Sequence, residues 1–132
     1  MPLPITALYA GLMGLWLLAL GFEVVRRRRR HQVSVGDGGV RELELAMRAH
    51  GNASEYVPIA LILLGLSEGL GAPVWVLHVF GLMLVAGRLL HGGYFLTGAR
   101  RMPLRVLGMQ LTVGVIGVLA LGLVFHSLAR IG

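Results

Sequence analysis

Apolar residues run almost unbroken through four stretches of the chain, residues 3–25, 45–70, 73–96 and 106–125. As α-helices each is long enough to cross roughly 30 Å of hydrocarbon. The pattern therefore predicts an all-α integral membrane protein, a four-helix bundle forming a single membrane domain over residues 1–132. Two spans are plain: the first carries no charge except Glu23 near its end, and the fourth carries none. The other two are decorated, the second by Arg48, Asn52 and Glu55 and the third by Arg88 and His91. In a helix Arg48, Asn52 and Glu55 stand at i, i+4 and i+7 and share one face. Polar groups at membrane depth are costly unless a partner or ligand compensates, so this stripe is the first candidate for a functional site.

The connections are read from turn chemistry. In Gly36-Asp37-Gly38-Gly39 the glycines supply positive φ and Asp37 can bond its neighbours. The turn reverses the chain before a helix expected to begin near Val40, whose first turns carry Arg41, Glu42, Glu44 and Arg48. No Lys-Ser/Thr ending and no strand make this run a phosphate-binding loop. The first span has no basic residue before it and five arginines after it, the order expected of a retained anchor rather than a cleaved signal. Ala7 with Gly11 and Ala10 with Gly14 are small-x-x-x-small pairs, and Gly108, Gly114, Gly117 and Gly122 thin the fourth span, which suits close helix approach and oligomerisation.

Composition agrees with the pattern. Over 132 residues, 56% are hydrophobic and 14% charged, with mean hydropathy +0.79, far from a soluble domain of this length. There is no cysteine, so any thiol chemistry must use a sulfur brought by a substrate. All twelve basic residues are arginine; this suits carboxylate binding in poorly hydrated surroundings, although genomic composition bias is the simpler account. Their distribution sets the topology. Arg26, Arg27, Arg28, Arg29, Arg30 and Arg41 fall between spans one and two, and Arg100, Arg101 and Arg105 between spans three and four. Both Arg-rich connections are expected in the cytoplasm and both termini outside.

The arginine run reads as a topogenic anchor that attracts anionic lipid headgroups. Without aromatic interleaving or a binding fold it is no nucleic-acid footprint. Arg26, the first of the run, is placed to reach a bound anion. With this topology Arg48, Asn52, Glu55, Arg88 and His91 converge in the cytoplasmic half of the bundle. One reading is a packing network in which Glu55 pairs with Arg48 or Arg88. The other is a ligand site, and the surplus of arginine over carboxylate then points to an anion. His50, His78 and His91 give no i, i+4 pair, so no metal site is expected. A small four-span exporter would need a carboxylate within the first span and a weak arginine bias, whereas Glu23 sits at the span's end and the bias is strong.

The run Arg48-Ala49-His50-Gly51-Asn52-Ala53-Ser54-Glu55-Tyr56, the segment Gly87-Arg88-Leu89-Leu90-His91 and the Arg-rich third connection together resemble the MAPEG family, the membrane-associated proteins of eicosanoid and glutathione metabolism. The glycine-rich turn and the chain length resemble its small bacterial inner-membrane members, and the likeness covers nearly the whole chain. It implies a homotrimer that binds glutathione between neighbouring subunits at the cytoplasmic face. Carried over by motif position, the tripeptide is held by Arg48, Asn52, Glu55 and Arg88, with His91, Tyr94 and Arg26 as further candidates. Arginines suit glutathione's two carboxylates, Glu55 suits its ammonium, and Asn52 can both donate and accept.

The resemblance also implies an arginine near the start of the fourth span that lowers the glutathione thiol pKa and holds the thiolate. Arg105 occupies that region, with Arg101 as a rival if the register slips. The serine and tyrosine that follow this arginine in some family members correspond here to Val106 and Met109, and the late third-span tyrosine falls at Phe95, with Tyr94 one position away. The implied function is a membrane glutathione transferase or peroxidase in which thiolate attacks apolar electrophiles or lipid hydroperoxides, in contact with its own copies and with lipid. The alternative is a non-catalytic scaffold or lipid-binding member of the family.

Overall fold

The computed structural model describes residues 2–98 and 101–132, so Arg100 lies outside the described residues. The chain forms four helices, α1 (Pro4–His31), α2 (Arg41–Gly69), α3 (Val74–Leu96) and α4 (Met102–Ile131). By length and composition α1, α3 and α4 can each cross a membrane. α2 is as long, at 29 residues, but carries charge through its first two turns.

Two helices outrun their apolar segments. α1 continues through the arginine run, because arginine is a good helix former and Arg28, Arg29, Arg30 and His31 in the last turn oppose the helix dipole. It ends where Gln32 turns left-handed, at φ 55°, and its N–H reaches back to the carbonyls of Arg28 and Arg29. α4 starts at Met102 with Pro103 in its first turn, where a missing N–H costs nothing. Between α1 and α2 the expected turn is present: Gly36, Gly38 and Gly39 have φ of 66°, 59° and 73°, and the Asp37 carboxylate accepts the Gly39 N–H at 2.9 Å.

The buried face of α2 recurs every three or four residues, at Ala46, Ala49, Ala53, Val57, Ala60, Leu64 and Ser67, the spacing of a single helical stripe. Its alanines let neighbours approach closely. α2 and α3 each pack against the other three helices, whereas α1 and α4 flank this pair and do not meet among the described residues. One core cluster gathers Met13, Leu20, Ala53, Val57, Leu84 and Phe95 toward the Arg-rich end. A second gathers Tyr9, Leu64, Leu77, Val115 and Leu119 toward the other end. The outer surface is apolar too: Leu15, Phe22, Trp75 and Phe125 are all at least 66% exposed, as expected where lipid or another subunit replaces water.

Side chains tie both ends of the bundle. At the Arg-rich end Arg27 bonds Glu23 at 2.6 Å and donates to the carbonyls of Glu42 and Leu96, joining α1, the start of α2 and the end of α3. At the opposite end the Glu68 carboxylate accepts the N–H groups of Ile5 and Thr6 at 3.0 and 2.7 Å, capping α1, whose own N-cap residue Leu3 has no capping side chain.

Candidate functional site

The site grows from the crossing of α3 and α4. Gly87 and Gly108 meet there with no room for a side chain: a Cβ on Gly108 would fall 2.6 Å from the Gly87 carbonyl oxygen, and one on Gly87 would fall 2.9 Å from that of Gly108. This approach brings Thr112 of α4 onto Arg88 of α3, next in sequence to Gly87. Arg88 is 1% exposed. Its Nε donates to Thr112 Oγ1 at 3.0 Å, and one Nη donates to Asn52 Oδ1 of α2 at 2.7 Å. The other Nη faces the Met109 sulfur at 3.8 Å, and the guanidinium lies 5.8 Å from the centre of the Tyr56 ring. The Thr112 hydroxyl donates onward to the Gly108 carbonyl at 2.9 Å. Every one of these partners is neutral, and among the described residues no carboxylate pairs with Arg88.

A second basic group stands nearby. Arg105, on the first turn of α4, lies over Phe95 and Tyr94 of α3, at 5.7 and 6.0 Å from their ring centres, a cation–π arrangement. Tyr94, Phe95 and His91 are buried, and the His91 and Phe95 rings meet tilted at 56°, with 5.1 Å between centroids. Arg105 also opens onto a groove of about 740 Å³ lined by Met102, Val106, Met109, Gln110, Val113 and Gly114. The arrangement offers a buried cation, an exposed cation and an apolar channel running from the second along α4.

The structure brings only part of the expected stripe together. Asn52 turns inward onto Arg88, whereas Arg48 and Glu55 are exposed. The rotation per residue explains the division: Arg48 and Glu55 lie about 20° apart around α2, and both fall to the same side of Asn52, the side turned away from α3. The pairing of Glu55 with Arg48 or Arg88 is not formed; Arg48 instead bonds Glu44, one turn earlier, at 2.9 Å. Arg26 is exposed and pairs with Glu23 at 2.8 Å. Arg101 is exposed at the N-cap of α4, away from the Arg88 cluster's hydrogen bonds.

Thr112, Tyr56 and Met109 were not singled out by the sequence as partners of Arg88. Thr112 had a signal, a lone hydroxyl among the apolar residues from Leu111 to Val118, since such a group in a membrane helix seeks a polar partner. Outside the spans, the Glu44 carboxyl is held below its ordinary value of 4.5 by its bonds from Arg48 and then Arg41. The Glu42 carboxyl is held below it by its bond with His31.

Residues 6–125 match the MAPEG family. The chain is 49% identical over 87 residues to "Inner membrane protein YecN" of Escherichia coli strain K12, and equally to the protein of the same name from E. coli O6:H1 strain CFT073. The match covers 66% of this chain and 66% of each relative, just under two thirds of their length.

Proposed function

The chain belongs to the MAPEG family, whose members include glutathione-dependent enzymes, and from that premise we propose that it is a homotrimeric glutathione transferase or glutathione-dependent peroxidase acting on apolar electrophiles or lipid hydroperoxides. The observation that carries the reading is Arg88: a guanidinium buried to 1% exposure whose hydrogen-bond partners are all neutral. A buried charge held in place without being neutralised is prepared for an anion from outside the chain. A carboxylate of glutathione fits it. Asn52 fixes Arg88 and can turn its amide to the peptide, while Arg48 and Glu55 face outward, where a neighbouring subunit or the rest of the tripeptide would meet them.

Arg105 is the group proposed to act on sulfur. A cation beside a thiol favours the thiolate, which then forms the new S–C bond as the electrophile's leaving group departs. With a hydroperoxide it takes the distal OH as the O–O bond breaks, the alkoxide leaving as the alcohol with a proton from water, and a second glutathione then displaces water from the sulfenic acid to give the disulfide. The groove beside Arg105 supports an apolar second substrate, its walls being almost wholly Met, Val and Gly. We place the Arg-rich end, and so the site's opening, in the cytoplasm, with both termini periplasmic, on the asymmetry of arginine.

A non-catalytic member of the family is the second reading, and one contact favours it: Arg105 rests on the Phe95 and Tyr94 rings, with Val106 and Met109 following it on α4. Purified protein in detergent separates the two. Glutathione is expected to raise the thermal midpoint and to be consumed with chlorodinitrobenzene or cumene hydroperoxide, with Arg105→Ala keeping the shift and losing the turnover. Binding without turnover, unchanged by Arg105→Ala, selects the scaffold. Absence of both binding and turnover overturns the proposal.

A further inference from the structure

α1 leaves its apolar segment as an unbroken helix and carries basic side chains on for two further turns. Val25, Arg28, Arg29 and Gln32 stand at i, i+3, i+4 and i+7, one face of that extension. With Val33 and Ser34 of the returning chain they line a groove of about 320 Å³. The same face continues toward the apolar end through Phe22, 70% exposed, and Val25, 43% exposed. Within two turns the surface changes from aromatic and aliphatic to doubly cationic, the order of groups met by a phospholipid standing beside a membrane helix.

Charge separates this groove from Arg26 and Arg27, while Arg30 lies off its lining. Arg26 and Arg27 are both paired with Glu23. Arg28 donates to the carbonyls of Ser34 at 3.3 Å and Gly36 at 2.8 Å, so its guanidinium is fixed as a wall of the groove. Arg29 is exposed beside it. Among the described residues no carboxylate pairs with Arg28 or Arg29.

We propose that this groove binds an anionic phospholipid, with its phosphate between Arg28 and Arg29, its chains against Val25 and Phe22, and its headgroup hydroxyls near Gln32 and Ser34. Two adjacent guanidinium groups favour a headgroup without a cation of its own, since a choline or ethanolamine nitrogen would meet the second arginine. The aliphatic wall favours a lipid over a free phosphate. The site is independent of the thiol-binding reading and shares no lining residue with the groove beside Arg105.

The test uses delipidated full-length protein in detergent, titrated with dioleoyl phosphatidylglycerol or dioleoyl phosphatidylcholine and read by native mass spectrometry. Phosphatidylglycerol is expected to bind the wild type about tenfold more tightly than phosphatidylcholine, and Arg29→Gln to remove about five- to tenfold of that affinity while leaving phosphatidylcholine binding and the thermal midpoint unchanged. Arg30→Gln removes the same charge one position along, off the groove, and is expected to keep the preference. Equal losses in Arg29→Gln and Arg30→Gln would mean diffuse surface charge and would overturn the proposal, as would an Arg29→Gln protein that binds like the wild type. Full displacement of the lipid by millimolar glycerol phosphate would make this an anion site only and remove the lipid. No preference in the wild type, as when a second copy covers the face, overturns it as well.

Discussion

An arginine has five N–H donors and a charge that it does not lose, so burying one makes two separate demands. At Arg88 the first demand is met within the chain by Thr112 Oγ1, Asn52 Oδ1 and, weakly, the Met109 sulfur. The second is not, because none of these groups is negative. This separation predicts two different phenotypes. Thr112→Val leaves the buried Nε–H without an acceptor and is expected to destabilise the protein by about 1–3 kcal/mol, with Thr112→Ser close to the wild type. Arg88→Met removes the charge together with its donors. Asn52 is half-buried and can be solvated, and Thr112 keeps its bond to Gly108, so no orphan remains. That variant is expected to unfold at or above the wild-type temperature while its glutathione-induced shift disappears. Thermal unfolding in detergent with and without glutathione reads both, and a large loss of stability in Arg88→Met would show that the charge is structural.

The helices themselves show where the sequence was informative and where it was not. Alternation of apolar and polar stretches located all four, and the glycines at 36, 38 and 39 located the turn, because lengths and backbone conformations are local properties. Two extensions, α1 to His31 and α4 to Ile131, were not legible in hydropathy, since polar residues continue a helix as well as apolar ones. The inward turn of Asn52 away from Arg48 and Glu55 depends on which side of α2 meets α3, and that is settled by the Ala49, Ala53, Val57 stripe and the Gly87–Gly108 crossing together. The first turns of α2 hold a prediction at this scale. Glu42 and Glu44 sit where acids favour a helix start, and both carboxyls are depressed below 4.5 by His31 and by Arg48 with Arg41. A depressed folded value means their contribution is complete above that ordinary value and is lost as pH falls through the lower one. Protection of the amides over residues 41–45, taken against the free-peptide exchange rate at the same pH, is therefore expected to fall below pH about 4.5. The double variant Glu42→Gln, Glu44→Gln should exchange faster at neutral pH and lose that acid step; an unchanged step would assign it elsewhere.

At the scale of the whole molecule, the helices pack a core around α2 and α3 and leave apolar faces of α1 and α4 outside. Among the described residues α1 and α4 do not pack against each other, and each turns small residues outward: a Cβ on Gly11 or Gly14 of α1, or on Gly117 or Gly122 of α4, would meet nothing within 4 Å. Free small-residue surfaces on membrane helices suit docking of another helix, because packing rather than hydrophobicity drives association in lipid. The site has the same division, with Arg88 and Asn52 joined inside one chain and Glu55 exposed on its surface. If neighbouring subunits share the proposed thiol site, Glu55 serves the Arg88 of the next chain. A trimer of three times the 14.2 kDa chain mass is the first expectation in detergent. The decisive one is complementation. Glu55→Ala and Arg88→Met subunits, each unable to bind glutathione as a pure assembly, are mixed at random by co-expression. A site built between chains regains an intact pair at about a quarter of its interfaces, since each interface draws one residue from each neighbour. A site contained in one chain regains none, because every subunit carries one of the two defects. Glutathione titration of the mixed assembly counts the restored sites, and a count of zero would confine the site to the single chain.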